Sequence, residues 1–272
     1  TRSPIARPGS AGYPRPVMSR SAGIWTEAFT VRSYEITPHG TASVLALCDY
    51  LQEAAGHHAR DLGVSMQDLL DDGRAWVLAH LRLEVERLPR WEETVVVETW
   101  PSGLDGLYAT REFVLHTDAN RAVLARGTSA WLIIDTERRR PLRPPRTLYA
   151  IDTPDRPAPL SMETDDLPAP QDPTHVQTFP VRYHDLDLNR HVNNVRYLEW
   201  ALETLPAAVC DAHRCTGLAL QFKAEATLGD TIRAAADHAD DDRRRVRHRL
   251  EHAETGETLA LAATTWADVE RS

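Results

Sequence analysis

Lysine is almost absent from this chain. Lys223 is the only one, and every other basic side chain is arginine. That bias fits codon usage in a GC-rich genome and says nothing about mechanism. Cysteine is scarce too. Cys48, Cys210 and Cys215 are an odd set in no metal-ligand or disulfide spacing, which fits a reducing compartment. No metal or cofactor is expected. No apolar run approaches the roughly 20 residues that a helix needs to cross a bilayer, so no membrane span is expected. Positive charge is not in excess: 31 Lys and Arg face 40 Asp and Glu, for a net charge of −9. That balance argues against a nucleic-acid partner. What is present is 272 residues, 42% of them apolar. This is enough for one large domain or two small ones with separate cores.

Residues 1–24 hold Pro4, Pro8, Pro14 and Pro16 and no acidic side chain. They read as a disordered or vector-derived leader, with Met18 a candidate start. Beyond them the chain repeats itself. Phe29-Thr-Val-Arg-Ser-Tyr-Glu-Ile resembles Phe179-Pro-Val-Arg-Tyr-His-Asp-Leu, and the two stand 150 positions apart. The same offset relates Val31 to Val181, Arg32 to Arg182, Glu35 to Asp185, Asp49 to Glu199 and Tyr50 to Trp200. Residues 151–174, rich in Pro and Asp, read as an extended linker between two units at 25–150 and 175–272.

Each unit shows the same order: a short strand, a helix, then four strands. In the first, Val44, Leu47, Cys48, Leu51, Ala54 and Ala55 recur at helical spacing, and Gly63 is a natural stop. Strands are predicted at Trp76–Glu86, Thr94–Trp100, Tyr108–His116 and Ala122–Ile134. In the second, Val195, Leu198, Leu202 and Leu205 line a helix face. Strands are predicted near Gly217–Ala226, Asp230–Asp237, Arg244–His252 and Thr258–Asp268. A lone helix among antiparallel strands has to be buried in a curved sheet. The fold class is therefore α+β, a tandem (double) hotdog.

Duplication also separates packing from chemistry. At the common offset Thr37 corresponds to Asp187, His39 to Asn189 and Thr41 to His191. The second copy thus gains a carboxylate, an amide and an imidazole in the loop entering its helix, where backbone N–H groups favour an anion. Such a set can activate water and stabilise an oxyanion. An Asx-rich helix cap is the plain alternative.

The stretch Asp185-Leu186-Asp187-Leu188-Asn189-Arg190-His191-Val192-Asn193-Asn194-Val195-Arg196-Tyr197 carries a family resemblance. Arg32-Ser33-Tyr34-Glu35-Ile36, Thr41-Ala42-Ser43, Leu51-Gln52-Glu53 and Trp76-Val77 share it. From about Phe29 to Trp266 the chain resembles the acyl-acyl-carrier-protein thioesterases of plant plastids and bacteria. The resemblance implies release of a fatty acid from acyl carrier protein. It puts catalytic roles on Asp187, Asn189 and His191, and, through Leu218-Ala219-Leu220-Gln221-Phe222-Lys223-Ala224-Glu225, on Glu225. Plant members commonly carry a Cys after that Glu, where this chain has Ala226. Direct attack by water is therefore expected rather than a thiol nucleophile. In that mechanism Asn189 and a backbone N–H hold the carbonyl, and Glu225, alone or with Asn189, orients the water and takes its proton, with the choice between the carboxylates as base left open. His191 assists the leaving thiolate or holds the water network, and Asp187 orients Asn189 or His191. Lys223 and Glu225, two apart on a predicted strand, are expected to pair.

The resemblance further implies an acyl tunnel supplied largely by the first unit, with Leu47, Cys48, Leu51 and Trp76 as candidate lining. An acidic carrier partner calls for a basic patch. Arg138, Arg139 and Arg140, with Arg143 and Arg146, are the preferred candidates. The run Arg243-Arg244-Arg245 with Arg247 follows Asp240-Asp241-Asp242 and reads as a self-neutralised hairpin. Alternatives are an acyl-CoA thioesterase, a non-catalytic acyl-binding protein and a hotdog dehydratase. A cytoplasmic location is expected for a bacterial source and a plastid for a plant one, with a homodimer left open.

Overall fold

The computed structural model describes residues 18–21, 23–162, 164–239 and 244–269. The first unit comprises β1 (Met18–Ser21), β2 (Ile24–Thr30), α1 (Val44–Asp61), α2 (Met66–Leu70) and β3 (Arg74–Val85). It continues through β4 (Thr94–Asp105), β5 (Tyr108–Thr117), β6 (Val123–Asp135), β7 (Arg140–Leu142) and α3 (Arg146–Tyr149). The second comprises β8 (His175–Pro180), α4 (Asn194–Glu203), α5 (Ala207–Ala212), β9 (His213–Phe222), β10 (Thr231–His238), β11 (Arg245–His252) and β12 (Thr258–Asp268).

All strands belong to one antiparallel sheet in the order β1-β2-β4-β5-β6-β3-β9-β12-β11-β10-β8, with β7 on β6. The two units meet where β3 pairs with β9, from His80↔Gln221 to Glu84↔Gly217. The pleat alternates across this seam. Leu81, Leu83, Leu218 and Leu220 join the core under α1, while Gln221 takes partners from the 151–174 segment on the opposite face.

The repeat survives at the level of single hydrogen bonds. Thr37 N–H donates to Thr41 O and Asp187 N–H to His191 O; Ser43 N–H donates to Glu35 O and Asn193 N–H to Asp185 O. Ser43 and Asn193 are the N-caps of α1 and α4, their side chains accepting from Ala46 N and Val195 N. Such a cap satisfies an amide that the helix leaves unpaired. The helices then diverge. α1 runs 18 residues and α4 only 10. Pro206 stops the second soon after Thr204, because proline has no N–H and clashes with the preceding turn. The matching position in the first copy is Gly56, and α1 continues through it to Gly63, whose φ of 69° suits glycine.

Three sequence expectations need correction. Met18–Ser21 belong to the fold, not to a leader, because they pair with the otherwise open edge of β2. The remaining leader residues, apart from Gly23 and Ile24, lie outside those described. The strand expected at Gly217–Ala226 is β9, His213–Phe222, and it ends before Glu225. Lys223 does not pair with Glu225; its ammonium lies 2.5 Å from Asp166.

Among the described residues, 151–174 form no helix or strand, yet they are pinned at several points. Arg156 bonds Glu98 at 2.8 Å and covers the Trp100 ring at 4.0 Å. Leu167 N–H donates to the buried Gln221 side chain, and Gln171 and Asp172 N–H both donate to Asp237. The segment is a strap over the outer face of the sheet.

Candidate active site

The loop before α4 is shaped by its own side chains. Asp187 Oδ1 accepts from the backbone N–H of Asn189 at 2.8 Å and of His191 at 3.2 Å. Asp187 thus orients Asn189 and His191 through the backbone. Arg190 sits at the tip with φ 64°, where the first copy has Gly40 at φ 73°. A left-handed arginine costs conformational energy that the glycine avoids, and such strain clusters at functional loops.

A second segment is zipped onto this loop. His191 bridges Thr227, and Val192 N–H donates to Ala226 O at 3.0 Å. Ala226 N–H in turn donates to the Tyr197 hydroxyl at 2.9 Å. Tyr197 is buried on α4, and burial pushes its phenol up to about 12, so the hydroxyl remains neutral. Glu225 is therefore fixed by its neighbour, and its Oε1 lies 3.4 Å from His191 Nδ1. That distance is long for a hydrogen bond but within the reach that tightens when substrate binds.

The other carboxylate oxygen meets the guanidinium of Arg139, from the turn between β6 and β7 of the first unit. Arg139 belongs to the arginine run expected to dock the carrier; the fold brings it onto the candidate base. Burial first, and Arg139 second, hold the His191 imidazole below its ordinary range, against a smaller upward pull from Asp187. The neutral form is favoured near pH 7. Arg138, Arg140, Arg143 and Arg146 are exposed around the same turn. In the other arginine run, Arg244 pairs with Asp268 and Arg247 with Asp237; Asp240–Arg243 lie outside the described residues.

Asn189 is the departure from a ready-made site. Its Nδ2 donates to Met66 Sδ at 3.2 Å on α2, and among the described residues no hydrogen bond joins it to His191 or Glu225. The first copy lacks the whole set. Its bridge runs from Thr41 to Arg90, so the counterpart of Glu225 is Leu88, and the counterpart of Tyr197 is Leu47. His39 there is occupied by a 2.9 Å bond to Cys210 O.

Two apolar cavities with shared lining residues lie near the site. One, narrow and about 450 Å³ including space open to solvent, lies between Asn194 and Val195 at the start of α4 and Cys48, Leu51 and Leu81. The other, about 1360 Å³ including space open to solvent, runs under the C-terminal half of α1 and is lined by Trp76, Leu104 and Met66. Gln52, Ala55 and Trp131 line both. The extra turns of α1 roof the larger one. Of the sequence-chosen lining residues, Cys48 and Leu51 face the smaller cavity and Trp76 the larger. Leu47 faces neither: it is fully buried at the position Tyr197 holds in the second copy. Met66, Tyr197 and the second role of Arg139 were not recognised from sequence. Among the described residues no cluster of His, Cys, Asp and Glu is arranged to hold a metal.

A tandem hotdog with an Asp-Asn-His loop and a carboxylate only in its second unit defines a class. The acyl-ACP thioesterase N-terminal domain matches residues 23–151 and the C-terminal domain matches 169–268. The chain belongs to the acyl-ACP thioesterase family. It is 28% identical over 228 residues to a chloroplastic dodecanoyl-[acyl-carrier-protein] hydrolase of Cinnamomum camphora, covering 78% of this chain and 58% of that protein. It is 30% identical over 229 residues to oleoyl-acyl carrier protein thioesterase 2 of Arabidopsis thaliana, covering 76% and 61%. The chain thus spans about three fifths of the length of these relatives. Among solved structures, the 12:0-ACP thioesterase of Umbellularia californica superposes with a TM-score of 0.83 at 23% identity, over 92% of this chain and 100% of that one. An acyl-ACP thioesterase of Bacteroides thetaiotaomicron gives 0.80 at 24%, over 90% and 98%. Both share the double hotdog fold. Among the described residues no helix is long and apolar enough to cross a membrane.

Proposed function

We propose that this chain hydrolyses the thioester of acyl-acyl-carrier protein by direct attack of water, releasing a free fatty acid. The observation that carries the reading is the pairing of His191 with Glu225, with an apolar cavity under α1 lined by Trp76, Leu104 and Met66 to take the acyl chain. Water attacks the carbonyl carbon as Glu225, or neutral His191, takes its proton. The oxyanion is held by backbone N–H groups at the start of α4 and by Asn189, whose amide leaves Met66 when substrate enters. The tetrahedral intermediate then collapses, the C–S bond breaks, and the thiolate takes the proton back from the His191–Glu225 pair.

A thiol nucleophile is disfavoured. Cys48 and Cys215 are buried, and burial raises all three thiols. Ala226, beside Glu225, cannot serve. Acidic carrier protein is drawn to the exposed arginines of the β6–β7 turn. The compartment that goes with this reading is the bacterial cytoplasm, or the plastid in a plant. The nearest rival is acyl-CoA hydrolysis on the same machinery. Initial rates for one acyl group on carrier protein and on CoA, over a series of chain lengths, test both. A higher kcat/KM on CoA at every length would favour the rival, and no hydrolysis of either would overturn the enzymatic reading.

A further inference from the structure

Strand β5 alternates between the two faces of the sheet. Phe113 and Leu115 point into the core under α1, so Arg111, two residues before Phe113, points the same way. An arginine on an inner face is unusual, and here it lines the larger cavity with Trp76, Trp131 and Leu104. Its Nη1 donates to His58 Nδ1 at 3.1 Å and to Thr99 Oγ1 at 3.2 Å. Both partners are neutral acceptors in these bonds, and among the described residues no carboxylate lies within ion-pair distance. Neighbouring Glu112 projects to the other face, accepting from Ser102 at 2.6 Å. Nη2 and Nε therefore have no hydrogen-bond partner among the described residues, on a side chain that borders the cavity. Burial without a counter-ion pulls even this guanidinium down to about 10. A buried cation is usually compensated by an opposite charge. Among the described residues no compensating acceptor is present, and the open side faces the larger cavity.

We propose that Arg111 is the anchor of a polar subsite in the acyl cavity, and that the chain accepts acyl groups carrying an oxygen function, a carboxylate above all, far from the thioester. This deepens the proposed function and rests on it for the direction in which the chain enters. A carboxylate would match the guanidinium fork with charge-assisted bonds. A plain alkyl chain filling the cavity would displace water from those donors without replacing its hydrogen bonds, a cost that favours the oxygenated ligand.

Binding can be read without turnover. The probes are non-hydrolysable amides of N-acetylethylenediamine, with octanoyl, dodecanoyl and hexadecanoyl chains, each with and without a terminal carboxylate. Affinity is measured calorimetrically, with Trp76 and Trp131 fluorescence as a local report. For at least one length the carboxylate form should bind roughly 10–100-fold tighter than its plain partner. Arg111→Met should abolish that preference by weakening the carboxylate probes, with the plain chains binding at least as tightly as to wild type. Arg111→Gln, which keeps a donor toward Thr99, should do the same if the methionine variant melts early. No carboxylate preference at any length, or a preference that survives both substitutions, would overturn the proposal. Failure of the enzymatic reading would show separately, as wild-type protein that binds these probes but hydrolyses no thioester.

Discussion

Replacing Tyr197 by Phe removes one oxygen and should loosen the candidate site from behind. That oxygen accepts the Ala226 N–H at 2.9 Å, and Ala226 is completely buried. Phe fills the same space, so the main effect is a buried amide without a partner, which costs about 1–3 kcal/mol. The sheet is continuous across the units, so the chain is expected to melt as one cooperative body. At about 2.1 cal/mol/K per residue, roughly 250 ordered residues give an unfolding entropy near 0.5 kcal/mol/K. The melting temperature should therefore fall by roughly 2–6 °C. The function should suffer more than the stability. Glu225 is adjacent to the freed amide, and a displacement of about 1 Å at a reacting group costs on the order of 10²-fold. Calorimetric melting and steady-state kinetics on one acyl-carrier substrate read both effects, with kcat falling and KM nearly unchanged. A melting point within one degree of wild type together with an unchanged kcat would refute the claim that this hydroxyl holds the loop.

Asn189→Ala should lower kcat by about 10²–10³-fold and Glu225→Ala by about 10²–10⁴-fold, with the double variant losing less than the product because both act on one water. His39→Ala and Thr41→Ala, in the first copy, should leave kcat nearly unchanged; a folded His39→Ala enzyme as slow as Asn189→Ala would refute the confinement of chemistry to one copy. Arg139→Ser should shift the acid limb of kcat/KM. Burial and Arg139 both depress the His191 pKa, so activity that needs neutral imidazole persists below the ordinary imidazole range. Loss of Arg139 moves that limb toward higher pH, and an unmoved limb on a small thioester would leave Arg139 only a docking role. Thiol alkylation at neutral pH should be slow and should spare turnover unless bulk on Cys48 fills the smaller cavity, and an acyl group trapped on Cys210 or Cys215 would contradict direct water attack.

Much of the architecture was legible because the repeat preserves the residues that build local structure. Ser43 and Asn193 cap the two helices, and Glu35 and Asp185 brace the loops before them. Glu225 was found by motif, but its counterpart was not, since the constant offset fails once Pro206 ends α4 and Gly56 lets α1 run on. Only the bridges His191–Thr227 and Thr41–Arg90 reveal Leu88 as the equivalent position. Arg139 looked like one charge in a surface run, because sequence carries no sign that the β6–β7 turn of one unit reaches the other. Leu47 looked like tunnel lining, since helical periodicity gives the buried face of α1 but not which part of that face meets a void. Arg111 stood out only after the pleat of β5 fixed its direction.

The β3–β9 seam bears on how such proteins can be recombined. A hybrid joining the first unit of one relative to the second of another would confront two strand edges that evolved with different partners. Here Leu81, Leu83, Leu218 and Leu220 face the core along those edges, and a slip of one residue would turn the slipped strand's leucines to the opposite face. The strap adds a second condition, because a crossover before Arg156 parts it from Glu98 and one beyond Leu167 parts Gln221 from its partners. The cavity under α1 and the candidate site before α4 can thus be exchanged between relatives only when strap and seam travel as one cassette. Chimeras with breakpoints chosen on that rule should stay folded where cuts at the midpoint of the chain do not.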